Sequence, residues 1–296
     1  MKLVFQISSD ESGSSAHEVL SRKMNMSGIM IKKVRLYGRL LVNGISCRMK
    51  DPVYEGDLIE AIYDHDTPPS EILPECNIHI YYQDEWLIVC EKPADLVTHP
   101  SWQHMDDSLI QRLSPNRLHP VMRLDRETSG LIVVAKNGYA HHLISSLPME
   151  KEYLGIVYGN FVPTEGTIDL PIGRADNSIM IRVVRDDGKS AVTHYETIKT
   201  YDRLGVSLVR FVLSTGRCHQ IRVHCRHLGH PIVCDGLYGP LSRDYTDPNF
   251  PNIENESRIN RQALHANRLA FYHPITGEKM EFESPLPDDI QDFISE

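Results

Sequence analysis

Apolar residues along this chain gather mainly in short, β-branched runs set between turn residues, and helical spacing is confined to a few stretches. Ser15-Ala16 opens a helix carrying Val19 and Leu20, and a second helix is predicted over about residues 28–37. Leu40-Leu41-Val42 reads as a strand entering an Asn43-Gly44 turn, and Leu58-Ile59 lies in another strand. Ile78–Tyr82 and Trp86–Cys90 read as strands around a polar turn, followed by an irregular, proline-bounded segment and a short helix near Asp107–Leu113. A short helix over 137–147 and strands at 149–159 and 206–213 come next, and residues 170–174 and 188–195 bracket a hairpin-like insertion. A helix is predicted over 217–228, stopped by Gly229 and Pro231, with Ile221, Cys225 and Leu228 as its apolar stripe. Residues 240–260 read as a long polar loop, ordered structure resumes at 262–266 and 268–271, and residues 281–287 and a short acidic helix close the chain. Many strands with few helices, and no repeated βαβ unit, predict an α+β fold with a mixed, largely antiparallel sheet.

One stretch breaks the alternation. His119-Pro120-Val121-Met122-Arg123-Leu124-Asp125-Arg126-Glu127-Thr128-Ser129-Gly130 is polar and empties into the buried-strand run Leu131-Ile132-Val133-Val134-Ala135. A charged loop feeding a buried strand places polar groups at the rim of a core, where function often sits on a rigid scaffold. Asp125 lies between Arg123 and Arg126, and positive charge on both sides favours its ionised form. Asp, Ser and Gly also serve as turn residues, so this stretch by itself is equally an ordinary turn.

Composition changes the picture in three places. The formal net charge of −9 argues against indiscriminate nucleic-acid binding. Yet residues 22–50 hold eight Lys and Arg and no acid, so the rest of the chain carries −17. The six cysteines are scattered, and the N-terminus turns polar and acidic too early for a signal peptide, which predicts reduced thiols in a cytoplasmic protein. No 18-residue apolar run is present, so no membrane helix is predicted.

Two helices with a basic face followed by a hairpin resemble the S4-type RNA-binding module. The resemblance rests on Arg39-Leu40-Leu41-Val42-Asn43-Gly44 and the downstream Gly56-Asp57-Leu58-Ile59. It assigns residues 1–62 to a small α/β S4-like domain, with Lys32, Lys33, Arg35 and Arg39 as phosphate contacts. Residues 63–75, proline-rich and acidic, then read as a linker to a catalytic domain over 76–296.

Within that larger part, three stretches occur in order. They are Arg123-Leu124-Asp125-x-x-Thr128-Ser129-Gly130, Lys151-x-Tyr153-Leu154 and Thr215-Gly216-Arg217-x-His219-Gln220-Ile221-Arg222-Val223-His224. Lys92-Pro93-Ala94, Gly188-Lys189-x-Ala191 and Asp235-x-Leu237-Tyr238-Gly239 fall at supporting positions. Together they resemble the RluA-type family of pseudouridine synthases over about residues 76–290. The resemblance implies an isomerase that breaks the N-glycosidic bond of uridine in ribosomal or transfer RNA, rotates the base and rejoins it through C5.

By this resemblance Asp125 is the catalytic carboxylate, suited to attack at an anomeric carbon and equally to deprotonation at C2′. Arg222 pairs with it, and Tyr153 lies against the target base. The uridine must leave its stack, and Arg123 fills the gap it leaves. Arg217, Lys151 and Gln220 are further RNA contacts. Met122 stands where the family often has His, and Cys218 where Thr is common. The expected partner is RNA, met by a monomer, with no metal, organic cofactor or membrane.

Rival readings are weaker. The cluster Cys218, His219, His224, Cys225, His227, His230 and Cys234 invites zinc, but it lacks a CxxC pair and a helix would point the ligands to several faces. A glycoside hydrolase using Asp125 and Glu127 would have its acids two residues apart on one loop, a poor acid–base pair. A catalytically idle RNA-binding protein that keeps the fold is the main alternative, and the joint presence of Asp125, Arg222 and Tyr153 weighs against it.

Overall fold

A computed structural model describes residues 2–63, 78–100, 107–176, 178–242 and 253–295. Apart from Tyr63, the expected linker lies outside the described residues, as does the middle of the 240–260 loop, whose end forms a 3₁₀ turn at Ile253–Ser257.

The basic N-terminal stretch builds one small sheet. Strand β1 (Lys2–Gln6) leads to helix α1 (Ala16–Glu18), which widens into a π turn through Lys23. Ser15 starts α1 by accepting from the Glu18 N–H at 3.3 Å, and Glu18 accepts from the Ser15 N–H at 3.1 Å, a reciprocal cap. Helix α2 (Gly28–Tyr37) buries Met30, Ile31 and Val34 and leaves Lys32 and Arg35 exposed. Strands β2 (Arg39–Val42) and β3 (Ile45–Ser46) are joined by Asn43 and Gly44, both left-handed as a tight hairpin turn requires. With β4 (Leu58–Ile62) the order is β1-β4-β2-β3, antiparallel throughout.

The larger sheet begins with β5 (Ile80–Gln83) and β6 (Leu87–Lys92), then helix α3 (Leu109–Leu113), β7 (His119–Pro120) and β8 (Ser129–Ala135). After α4 (Gly138–Ser145) come β9 (Met149–Tyr158), β10 (Glu165–Asp169), and the small hairpin of β11 (Ile172–Arg174) and β12 (Arg182–Val184). Strands β13 (Val192–Tyr201) and β14 (Val206–Leu213) precede helix α5 (Gln220–His227), and β15 (Leu264–Tyr272), β16 (Lys279–Glu283) and α6 (Asp288–Ser295) finish the chain. The order is β10-β13-β14-β9-β15-β8-β6-β5, with β16 on β15 and β7 on β8. Among the described residues only β8 and β15 run parallel, so the fold is α+β with a largely antiparallel sheet.

Strand β8 shows why its sequence is apolar without interruption. Period two sends Ile132 and Val134 into the main core beneath α5 and α6, and Leu131, Val133 and Ala135 into a second core beside α4. A strand covered on both faces cannot alternate with polar residues. Gly130 permits the parallel contact with β15: its φ is +115°, and a Cβ there would lie 2.2 Å from the Ala266 carbonyl oxygen.

A buried polar line ties these strands together. His265 Nδ1 meets Ser129 Oγ at 2.9 Å, its Nε2 meets Ser284 Oγ at 3.0 Å, and Ser284 donates to Glu91 at 2.9 Å. Burial drops the His265 pKa from the ordinary 6.5 to about 4. The unfolded chain therefore takes up a proton that the folded chain refuses as pH falls through this window. Stability is full above pH 6.5 and declines as pH approaches about 4. The expected loss is about 3 kcal/mol at most, read as a falling urea midpoint between about pH 7 and about pH 4.5. In His265→Gln that part of the slope disappears; an unchanged slope would remove His265 as its source.

Candidate active site

The loop before β8 is fixed from beneath. Thr98 Oγ1 donates to the Leu124 carbonyl at 3.1 Å and accepts from the Leu124 N–H at 3.2 Å. The Thr128 N–H donates to the Asp125 carbonyl at 3.2 Å, closing the turn. Lys92, fully buried, donates to the carbonyls of Pro93 at 2.6 Å, Leu96 at 2.8 Å and Arg126 at 2.9 Å. Three ammonium protons thus meet three carbonyls, and that of Arg126 also accepts the Leu96 N–H at 3.2 Å. Burial pushes the Lys92 pKa down to about 7, against the pull of the Asp125 carboxylate.

Held in this way, Asp125 is half-buried on a cleft of about 810 Å³. Arg222 Nη1 donates to Asp125 Oδ2 at 2.7 Å, and two further nitrogens of the same guanidinium donate to Asp235: Nε to Oδ2 at 2.7 Å and Nη2 to Oδ1 at 2.8 Å. Asp235 is fully buried, Arg222 is 4% exposed, and the Tyr238 ring lies 5.0 Å from the guanidinium carbon. Asp235 Oδ1 also accepts the N–H groups of Leu237 and Tyr238, both at 3.0 Å. Burial opposes the charge on Arg222, but the hydrogen bonds and charges of Asp235 and Asp125 outweigh it and hold its pKa above the usual arginine value. The aspartate–arginine–aspartate line fixes one oxygen of Asp125 and leaves the other, Oδ1, facing the cleft without a hydrogen bond among the described residues.

Tyr153 and Lys151 share one face of β9, two residues apart, and both line the cleft. Tyr153 is 7% exposed; burial and the neighbouring Asp125 push its phenol pKa up, so it is a neutral hydroxyl at physiological pH. Lys151 has no described counter-ion, and burial draws its pKa down. Arg123 is exposed on the cleft beside the half-buried Met122, and Arg217, also lining it, is exposed with its Nε donating to the Ser190 carbonyl at 2.8 Å. Lys32, Lys33, Arg35 and Arg39 belong to the N-terminal sheet unit: Lys32, Arg35 and Arg39 are exposed, and the Lys33 ammonium lies 5.8 Å from the Tyr63 ring.

Three expectations need correction. Gln220 is 2% exposed and its amide is spent inside the protein, accepting from the Arg217 N–H and Thr215 and donating to Val192 and Thr193, so it has no group to offer RNA. It instead starts α5, which runs from Gln220 to His227 and not from 217, because His219 adopts a left-handed conformation (φ 58°) that no helix continues. At the other end Leu228 is 40% exposed, outside the stripe expected with Ile221 and Cys225; the first half of α5 is buried on every side, His224 included. Arg126 turns to Asp95 at 3.3 Å and Glu127 at 3.1 Å, and the cation on Asp125 is Arg222.

Sequence reasoning gave no role to Lys92, His219, Asp235 or Tyr238. Lys92, Asp235 and Tyr238 fall in short stretches that accompany the main motifs, and His219 within one of them, but nothing in their spacing signals that their side chains converge beneath Asp125.

This fold and cleft define the class: an isomerase that rebuilds uridine in RNA as pseudouridine. The family model described as RNA pseudouridylate synthase matches residues 86–227. An uncharacterized RNA pseudouridine synthase of Bacillus subtilis (strain 168), YjbO, is 37% identical over 271 residues, covering 87% of this chain and 90% of its own length. Ribosomal large subunit pseudouridine synthase D of Escherichia coli (strain K12) is 34% identical over 308 residues, covering 99% of this chain and 94% of its own. Among solved structures, human RNA pseudouridylate synthase domain containing 4 matches with a TM-score of 0.56 at 25% identity, over 73% of this chain and 92% of that one. The chain belongs to the RNA pseudouridylate synthase family, in its RluA-type branch.

Proposed function

We propose that this enzyme isomerises uridines of ribosomal large-subunit RNA, acting as a monomer in the cytoplasm. The observation that carries the reading is the Asp125–Arg222 contact, 2.7 Å long, on a cleft edged by Lys151, Arg123 and Arg217. The ribosomal substrate is supported by the relative whose match covers 99% of this chain. Among the described residues no helix is long and apolar enough to cross a membrane.

Asp125 Oδ1 is the reacting oxygen. In one route it attacks C1′ as the N1–C1′ bond breaks; the anionic uracil turns, and the new Oδ1–C1′ bond breaks as C5 bonds to C1′. In the other it takes the C2′ proton as the N1–C1′ bond breaks, and returns that proton to C2′ as C5 of the turned base bonds to C1′. In both, the C5 proton then leaves and N1 takes one up from solvent. Either route is redox-neutral, so atoms balance without a metal or an organic cofactor. Arg222 fixes the carboxylate, and Tyr153 presents its ring and neutral phenol to the base. Arg123 enters the gap left by the flipped nucleotide, while Lys151 and Arg217 meet phosphates. Residues 1–62 form the S4-like RNA-binding domain, joined by the linker at 63–75 to the catalytic domain of residues 76–296. In the S4-like domain the exposed Lys32, Arg35 and Arg39, with Lys33, take backbone phosphates.

The test is incubation of purified enzyme with unmodified large-subunit RNA and with unmodified transfer RNA, pseudouridine being mapped at single-nucleotide resolution. A few discrete sites in the large-subunit RNA are the expected result. Sites confined to transfer RNA overturn the ribosomal assignment, and none in either RNA overturns the catalytic one.

A further inference from the structure

His219 is the one member of the site whose geometry no assigned role explains. It sits just before α5 with φ 58° and ψ 22°, a left-handed conformation that branched and bulky residues avoid and that asparagine and glycine tolerate. This turn directs the imidazole into the site. Its Nδ1 lies 2.7 Å from the Tyr238 hydroxyl, and its Nε2 lies 3.9 Å from Asp125 Oδ1, the oxygen that Arg222 leaves free.

Counting protons fixes the tautomer. The Tyr238 hydroxyl, buried to 1% exposure, accepts the Arg182 N–H at 2.9 Å. Its own proton has one acceptor among the described residues, His219 Nδ1. The imidazole proton is then on Nε2, the nitrogen 3.9 Å from Asp125. At 3.9 Å this is too long for a hydrogen bond, so Oδ1 keeps its lone pairs for the ribose while a donor stands behind it.

We propose that His219 is a positioning residue for Asp125: its Nε2–H faces the free carboxylate oxygen and holds it aimed at the reacting ribose carbon. The inference rests on the reading of Asp125 as the reacting carboxylate. It also sets an acid limit. Burial lowers the His219 pKa; Asp125 and Asp235 pull it up, and Arg222 and Arg182 push it down. The remaining titratable neighbours, Tyr238 and Cys218, are both uncharged at neutral pH because burial raises their pKa values. A neutral imidazole therefore persists to pH values below the ordinary histidine range. Under more acidic conditions a second proton enters at Nδ1, and the imidazolium closes on Oδ1 as an ion pair. Asp125 is then withdrawn from the ribose, and activity falls as pH falls.

The test is single-turnover pseudouridine formation across pH in His219→Asn. Asparagine tolerates the left-handed backbone and can still reach Tyr238 from the Nδ1 position, but it has nothing at Nε2. The expected result is a rate about 10- to 100-fold lower, unchanged RNA affinity and loss of the acid limb that the wild type shows. A wild-type rate with the acid limb intact overturns the proposal, as does a loss carried wholly by weaker RNA binding. Tyr238→Phe, which frees the tautomer without altering the turn, provides the second variant; a shifted acid limb is expected, and an unshifted one counts against the proposal. Asp125→Asn is run alongside. Activity in that variant overturns the carboxylate reading itself, and the histidine's role with it, which distinguishes the two failures.

Discussion

Asp125→Asn is expected to lower the single-turnover rate of pseudouridine formation by at least about 10⁴-fold while RNA affinity stays within about twofold of wild type. The substitution is nearly isosteric, and the amide oxygen can still accept the Arg222 Nη1–H now 2.7 Å from Oδ2. Arg222 does not move, because two further hydrogen bonds hold it to Asp235. What disappears is the charge on the free oxygen, and with it both available routes. A neutral amide neither bonds to C1′ nor takes a proton from C2′. Filter binding of large-subunit RNA and mass spectrometry of the digested product measure the two quantities separately. A variant that retains more than about a hundredth of the wild-type rate would place the chemistry elsewhere in the cleft.

The sequence was most informative where one element determines its own pattern. Strand β8 reads as buried because both of its faces are covered, and Asn43-Gly44 reads as a hairpin because few other pairs adopt two successive left-handed residues. The α+β class followed from many strands with few helices. The site was legible only as motifs. Arg222 was found through its resemblance to a family pattern, because no periodicity brings residue 222 to residue 125, across 97 positions of chain. The helix start failed for a local reason: His219 is left-handed, and its contact with Tyr238 is made by tertiary structure and invisible in spacing. Gln220 failed for the complementary reason. A polar residue beside exposed Arg217 looks like a surface contact until the sheet brings Val192 and Thr193 within reach of its amide. Arg126, adjacent to Asp125 in sequence, is drawn away by Asp95. Sequence proximity of charges therefore did not predict the ion pair here.

Those misses share a cause. The residues beneath Asp125 are polar and buried, and such groups are tolerated only when each is matched by a partner that arrives from elsewhere in the chain. Lys92 finds its three carbonyls on two loops, His224 bridges Thr193 and the Leu170 carbonyl, and Asp235 collects a guanidinium and two backbone N–H groups. The catalytic oxygen is the exposed end of a network whose remaining members are inside. Rigidity at Asp125 is a property of that network, and it makes the innermost carboxylate as consequential as the outermost.

Asp235→Ala is accordingly expected to cost about 3–5 kcal/mol of stability, the usual penalty for stripping one partner from a buried ion pair. Arg222, 4% exposed, would keep its charge with a single described carboxylate partner, Asp125, which is itself half in solvent. The N–H groups of Leu237 and Tyr238 would lose their acceptor as well, loosening the ring that lies against the guanidinium and bonds His219. Asp235→Asn separates these contributions. An amide oxygen can still serve the two backbone groups and Arg222 Nη2, but the amide nitrogen cannot accept from Arg222 Nε, so the charge and that one hydrogen bond are lost; the expected cost is smaller, about 1–3 kcal/mol. Urea unfolding of the three proteins at neutral pH gives the ordering directly: wild type, then asparagine, then alanine. Activity should fall in the same order even at temperatures where every variant is folded, because an Arg222 held only by Asp125 no longer sets where Asp125 points. If alanine at 235 shifts stability by less than about 1 kcal/mol, the charge of Arg222 is being met by something other than Asp235, and the aspartate–arginine–aspartate line is not what holds the site in place.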